Sequence, residues 1–290
     1  MSLRVIEWPS LLEDNRQEFS YTKSIPEGLA MAIGVFDGVH LGHQALIERI
    51  TRRGPNPTVV TFRENPKKVL WRISGTGTSG SYIGDLYSLK QKIEIFDSLG
   101  VKFLILIDFS EEFSKLKGRE FLDLLGNKGK MVFLAIGDNF RCGFRQDTDA
   151  DLARKVNEEK GIPTELIPPV YSGATGLSAE PEGLRPKVCG SPPDNRLVSS
   201  SFIRQAVLAG NLKLASEQLG RNFGLDLSDV KSVYNGSGYV YDICSVCRIA
   251  PTTGQYSVLM FPGNIAERAS VEDGKIFLPM KVESLEFVTD

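Results

Sequence analysis

The sequence predicts an α/β chain: a doubly wound parallel sheet followed by a small C-terminal all-β domain. Three observations carry this. Short apolar runs of the kind that form strands buried on both faces recur along the first two thirds of the chain. Amphipathic helical stripes lie between them, and β-α-β-α alternation means a parallel sheet with helices on both faces. After Gly220 the texture changes to short β-like stretches separated by turn signals.

The strand candidates come first. "GLAMAIGVF" is an apolar run that begins and breaks on glycine. "TVVTF" (Thr58 to Phe62), "VKFLILIDF" (Val101 to Phe109) and "KMVFLAIG" (Lys130 to Gly137) follow, and "IPTELIPPV" (Ile162 to Val170) is a weaker fifth. Between them, Leu46, Ile47 and Ile50 share a helix face that "GP" at 54 and 55 stops. Leu86, Leu89, Ile93 and Phe96 form a second stripe closed by Gly100. Phe121, Leu122 and Leu125 form a third closed by Gly126. "DADLARKVNEEKG" (Asp149 to Gly161) reads as a capped, mostly exposed helix. Two stretches break the rhythm: the Gly/Ser/Thr-rich segment 74–84 and the Pro/Gly-rich segment 171–195, each expected to be a functional lid or a disordered loop. The division falls at 223/224, giving domains 1–223 and 224–290. The second, at about 65 residues, is near the lower limit of what folds alone.

Composition narrows the function classes. Of 290 residues, 41% are hydrophobic and 24% charged, an ordinary globular profile. The net charge of −2 gives no basic surplus for nucleic acid. No apolar run is long enough for a bilayer. Arg4 and Glu7 precede any apolar run, so no signal peptide is expected. Four cysteines do not make a disulfide framework in a chain this size. A cytoplasmic protein is the expectation.

The chemistry concentrates in "GVFDGVHLGH" (Gly34 to His43), which holds both histidines of the chain. A buried strand leads through a Gly-rich turn into a helix starting near His43. Helix N-termini offer free N–H groups and partial positive charge, and so hold phosphate. His43 shares a face with Leu46 and Ile47 and tips back toward the sheet end. His40 sits in the turn. Each imidazole can then donate to a phosphate oxygen. The bland alternative, one capping and one core histidine, fits a lone histidine better than two at this spacing. "SSSFIR" (Ser199 to Arg204) offers a second such site. Ser200 and Ser201 are suitable cap residues, Ile203, Ala206 and Val207 form the buried stripe, and Arg204 points off it. A plain capped helix with a solvated arginine is the alternative there. "GDNF" places Asp138 and Asn139 at a strand tip, where both also suit a turn. Phe62 and Phe140 can flank a flat ring or belong to the core. "CSVC" (Cys244 to Cys247) has metal-like spacing but no second pair, and within a strand its cysteines would face opposite ways, so no metal is expected there.

His-x-Gly-His after the first strand resembles the nucleotidyltransferase superfamily, and "GVFDGVHLGHQALI" resembles the adenylyltransferase domain of bacterial FAD synthetases, the bifunctional riboflavin kinase/FMN adenylyltransferases. Supporting stretches follow in order: "VVTF" with Pro66, where Asn65 stands for the family's histidine; "LYSLKQKIEIFDSLGV"; "IGDNFRCG", with Cys142 where an aromatic is usual; and "VSSSFIRQAVLAGNLKLASEQLGR", with Ser201 for a threonine. The resemblance covers residues 1 to 223 and implies a Rossmann-like fold with transfer of AMP from ATP to FMN. It implies catalytic roles for His40, His43 and Arg204. For ATP it implies Gly34, Phe36, Asp37, Gly38, His40, Gly42, His43, Ser200, Ser201 and Arg204; for FMN, Phe62, Asn65, Asn139 and Phe140. Mg²⁺ accompanies ATP with few protein ligands, and no resident metal is implied. The family's kinase domain carries Pro-Thr-x-Asn. Here Pro251-Thr252 is followed by Thr253-Gly254, so a shortened barrel without kinase activity is expected, bracing the first domain, covering an edge strand or mediating self-association. Two alternatives remain: a nucleotidyltransferase with another phosphate acceptor, or a degenerate flavin-binding protein.

Overall fold

The computed structural model describes residues 3–12, 25–74, 82–172 and 196–289. Most of the two loop segments singled out above (75–81 and 173–195) lies outside them. The described chain forms two compact units. One is Met1–Val39, Leu46–Pro168 and Cys244–Ile249; the other is His40–Ala45, Pro169–Ile243 and Ala250–Asp290.

The first unit is built on a six-stranded sheet of β1 (Arg4–Glu7), β2 (Leu29–Ile33), β3 (Asn56–Phe62), β4 (Phe103–Ile107), β5 (Met131–Gly137) and β8 (Thr164–Ile167), in the order β1-β4-β3-β2-β5-β8. Every pairing is parallel. The short antiparallel pair β6 (Arg141–Cys142) and β7 (Thr148–Asp149) lies between β5 and β8 in the chain. All five residues of β2 are buried, and alternate residues serve opposite faces. Ala30 and Ala32 join Val59, Leu104 and Leu106 under Leu46, Ile47 and Ile50 of α2 (Leu41–Arg53) and Phe96 of α4 (Leu89–Ser98). Leu29 and Met31 join Val60, Ile105 and Leu134 under Phe121, Leu122 and Leu125 of α6 (Gly118–Asn127) and Val156 of α7 (Ala150–Glu158). Each such side chain taken from water stabilises by roughly 1.5–3 kcal/mol.

The expected strands and helices are present, with differences at the edges. Strand β1 is an edge strand of mixed composition with one buried residue, Ile6, so it leaves no apolar run to read. The helices α1 (Pro9–Leu12), α3 (Pro66–Ser74) and α5 (Glu111–Ser114) are additions, and α6 runs one residue past Gly126. Asp149 caps α7 as expected, accepting from the Leu152 N–H at 3.0 Å. Because β2 has β3 on one side and β5 on the other, the sheet reverses its winding at the carboxyl end of β2. Ligands bind at such a switch point.

In the second unit α8 (Ser200–Leu208) and α9 (Leu212–Leu219) pack as a pair, joined through Gly210 at φ 73° and capped by Asn211. An antiparallel seven-stranded sheet follows: β9 (Gly224–Asp226), β10 (Ser232–Tyr234), β11 (Tyr239–Asp242), β12 (Gly254–Phe261), β13 (Ile265–Glu272), β14 (Lys275–Leu278) and β15 (Ser284–Phe287), in the order β10-β11-β14-β13-β12-β15-β9. Strand β13 is legible only in retrospect, because its first four residues are exposed. Cys244 and Cys247 do not lie in a strand: Ile243–Val246 is a 3-10 turn, closed by the Cys247 N–H donating to the Cys244 carbonyl at 2.9 Å. Among the described residues no helix is long and apolar enough to cross a membrane.

Candidate functional site

The chain leaves β2 through a turn that few sequences adopt. Phe36, Gly38 and Val39 have φ of 52°, 78° and 40°. Glycine accepts such a φ freely, whereas a β-branched valine there is strained. The turn is held from several sides. The Gly34 N–H donates to the Val60 carbonyl at 3.1 Å and the Val39 N–H to the Phe36 carbonyl at 3.2 Å. The buried Asp37 carboxylate accepts from the Leu86 N–H at 3.0 Å. Phe36 is fully buried and meets Phe96 edge-on, ring centroids 5.5 Å apart. Of the residues assigned to the nucleotide, Phe36 and Asp37 therefore shape the turn from beneath.

His40 precedes the first residue of α2 and acts as its cap: its Nδ1 accepts from the His43 N–H at 3.4 Å. A neutral imidazole that accepts at Nδ1 carries its proton on Nε2. That ring stacks on His43, with centroids 3.7 Å apart and 16° between planes. Gly42 makes room for it, since a Cβ there would lie 3.3 Å from the His40 ring. Burial, then the Arg221 charge, push the His40 pKa down to about 4, against the pull of a backbone hydrogen bond, with Arg204 adding to the depression. His40 is thus a neutral donor at pH 7.

Two elements of the same unit bring the cations. Helix α8 begins after Ser199, whose hydroxyl accepts from the Phe202 N–H at 3.3 Å. The cap is Ser199, so the expectation of Ser200 or Ser201 as cap is corrected: they occupy the first turn, with Ser201 exposed. Ser200 and Arg204, four apart, share one helix face. Arg204 is half-buried, beside the buried Ile203, Ala206 and Val207. Arg221 follows the left-handed Gly220 (φ 70°) that ends α9, and its Nη1 donates to the Leu219 carbonyl at 3.0 Å. The same carbonyl accepts from Gln44 Nε2 at 2.8 Å, tying the first turn of α2 to the end of α9. A Cβ on Gly220 would lie 2.8 Å from the Leu41 side chain. The result is a cradle of two stacked imidazoles and two guanidinium groups whose charges act on His40. Arg221 was not singled out from sequence; its only local signal is the glycine before it.

The residues assigned to a flavin lie in the first unit. Phe62 ends β3 and Phe140 follows β5, both partly buried against one core cluster. Phe62 meets Phe109 and Phe113 edge-on at 5.9 Å. Asn139 is exposed in the turn closed by the Phe140 N–H to the Gly137 carbonyl at 2.9 Å. Asn65 is buried with both ends of its amide engaged: Oδ1 accepts from the Lys67 N–H at 3.1 Å, and Nδ2 donates to Asp85 at 3.1 Å. It caps α3 with Pro66 at the first helical position. Cys142 is partly buried, and burial raises its thiol pKa to about 12, so it is no nucleophile at pH 7.

Among the described residues no three His, Cys, Asp or Glu side chains gather as a metal cage. Imidazole N–H and guanidinium donors suit phosphate oxygens rather than a divalent cation.

Comparison with known proteins places the chain. Residues 22–180 match the family model described as FAD synthetase. The "Bifunctional riboflavin kinase/FMN adenylyltransferase" of Escherichia coli K12 is 27% identical over 240 residues, 80% of this chain and 68% of that protein. The protein of the same name from Buchnera aphidicola (strain APS) is 27% identical over 70% of this chain, which spans 58% of that protein's length. The one from Pseudomonas fluorescens is 28% identical over 91% of this chain and 80% of that protein. A Streptococcus pneumoniae crystal structure named as a macrolide-efflux protein superposes with a TM-score of 0.70 at 19% identity, covering 98% of this chain and 89% of that one. At that identity the likeness shows the fold alone. With the family model spanning more than half of its residues and the expected motifs in order, the chain belongs to the FAD synthetase family.

Proposed function

We propose that the protein is an FMN adenylyltransferase: FMN and ATP give FAD and pyrophosphate. The observation that carries this is the pair of stacked imidazoles at the start of α2, with Arg204 and Arg221 acting on His40. The names of the relatives support the same reaction. A phosphate oxygen of FMN attacks the α-phosphorus of ATP in line, the new P–O bond forms, and the bond to the bridging oxygen breaks as pyrophosphate leaves. The substrate supplies the nucleophile, so catalysis is positioning and charge stabilisation. His40, through Nε2–H, and His43 donate to the α-phosphoryl oxygens as negative charge builds. Ser200, Ser201 and Arg204 hold the β- and γ-phosphates, and Arg221 joins them. Gly34, Gly38 and Gly42 leave the backbone open to the nucleotide, while Phe36 and Asp37 fix the turn. Phe62, Asn139 and Phe140 receive the flavin, and Asn65 acts through the α3 cap. Mg²⁺ would accompany the phosphates of ATP, since the cradle offers N–H donors to those oxygens and the described residues gather no cation ligands of their own.

We assign the transfer to residues 1–223 and no riboflavin kinase activity to 224–290, because Pro251-Thr252-Thr253-Gly254 lacks the asparagine of the kinase stretch. We assign the reaction to the cytoplasm; that no described helix is long and apolar enough to cross a membrane is compatible with this. Incubation with Mg-ATP and either FMN or riboflavin, followed by flavin chromatography, tests the reading. FAD from FMN, with riboflavin unchanged, is expected. No FAD from FMN rejects the transfer, and FMN made from riboflavin rejects the missing kinase.

A further inference from the structure

Lys92 is a cation that the phosphate cradle does not use. It lies in α4 with only 6% of its surface exposed. Its Nζ is 3.5 Å from the Val35 carbonyl, in the turn that follows β2. The same carbonyl accepts from the Thr61 hydroxyl at 3.1 Å. Asp37 and Asp85 are the carboxylates whose charges act on the lysine; they oppose the burial that lowers its pKa. Each of them holds a neighbouring segment, Asp37 through backbone and Asp85 through side chains. Asp37 accepts from the Leu86 N–H at 3.0 Å. Asp85 accepts from Asn65 Nδ2 at 3.1 Å and from the Tyr82 hydroxyl. A buried ammonium persists only where carboxylates and carbonyls compensate it. Here the compensating groups belong to the strained stretch Val35–Val39 and to the segment that fastens it. Strained φ values persist where surroundings over-determine them, and His40 is the next residue in the chain.

We infer that Lys92 is a positioning residue: by tying the Val35 carbonyl to α4, it fixes the turn that sets the His40 ring. This rests on the proposed transfer reaction for its kinetic consequence, not for its structural one. Small misplacement of a reacting group costs far more in turnover than in binding.

The test uses the full chain with Lys92→Met. Lys92→Gln serves as a second variant: it keeps a polar tip in the buried slot but lacks the charge and the reach. Circular dichroism establishes that each folds. With only two histidines in the chain, a long-range ¹H–¹⁵N spectrum reads both imidazoles directly. Wild type is expected to show His40 as the Nε2–H tautomer. The folded variant is expected to show tautomers averaged, with kcat down about tenfold to a hundredfold and KM for ATP within about twofold. A lysine that merely stabilises the fold would lower the melting temperature and leave the imidazole spectrum and kcat alone. A folded variant that keeps either the wild-type tautomer signature or the wild-type kcat overturns the inference. If the wild-type protein makes no FAD, the imidazole spectrum, recorded without substrate, still decides it.

Discussion

At the scale of single residues, the buried imidazole of His40 decides most. Its pKa falls from the ordinary 6.5 to about 4 on folding, through burial first and the Arg221 charge second. Between those values the unfolded chain binds more protons than the folded one, so stability rises with pH across the window and is lost as pH falls from 6.5 toward 4. The loss amounts to about 3 kcal/mol. His40→Asn keeps a helix-capping acceptor without the titration. Urea unfolding at pH 7 and at pH 4 is expected to show wild type losing that much more than the variant. Gly42 gives a second expectation. Its substitution by alanine puts a Cβ 3.3 Å from the His40 ring, so Gly42→Ala should fold normally and lower kcat/KM about tenfold, at a cost of about 1.4 kcal/mol in transition-state binding. An unchanged kcat/KM would show that the ring has room to give. His40, His43 and Gly42 were legible in the sequence because they are neighbours in one motif. Arg221 was not, because only the close of α9, through Leu219 and Gly220 against Gln44 and Leu41, brings its charge to bear on His40.

At the scale of elements, apolar runs and stripes revealed the strands and helices with large buried faces, and hid those without. Strand β1 buries one side chain and β13 exposes its first half, so neither carries a period to read. Caps were legible as residue types but not to the residue: three serines stand together and the structure uses Ser199. Ser199→Ala should cost about 1 kcal/mol by losing that cap, read as a lowered melting temperature, whereas Ser201→Ala should leave stability within about 0.5 kcal/mol. Helix α9 holds an unexpected residue in its buried face. Gln218 is fully buried, and neither atom of its amide has a hydrogen-bond partner among the described residues. An unsatisfied buried amide costs roughly 1–3 kcal/mol, so Gln218→Leu is expected to stabilise by about 1 kcal/mol in thermal denaturation. Destabilisation would mean that the amide is satisfied in solution.

At the scale of the molecule, the change of texture after Gly220 announced a second architecture, and the antiparallel sheet is there. Composition cannot announce how the chain is shared. Cys244–Ile249, from the midst of the β segment, groups with the first unit. Asp85 donates its N–H to the Cys247 carbonyl at 2.9 Å and accepts from the Ile249 N–H at 3.1 Å. Arg248 is buried, and a Cβ on Gly84 would lie 3.1 Å from its carbonyl carbon. A chain cut after 223 loses this segment from beside Gly84 and Asp85. It should melt at lower temperature and less cooperatively than the full chain; an unchanged melt would show that the segment is dispensable. The whole reading turns on one question, whether the stacked imidazoles hold the phosphate that reacts. Single-turnover adenylyl transfer to FMN by His43→Ala, measured at saturating Mg-ATP beside wild type, answers it most directly. Loss of one transition-state donor predicts a rate lower by a factor of hundreds, about 3–4 kcal/mol, with the melting temperature unchanged. A His43→Ala protein that transfers AMP at the wild-type rate would contradict the assignment.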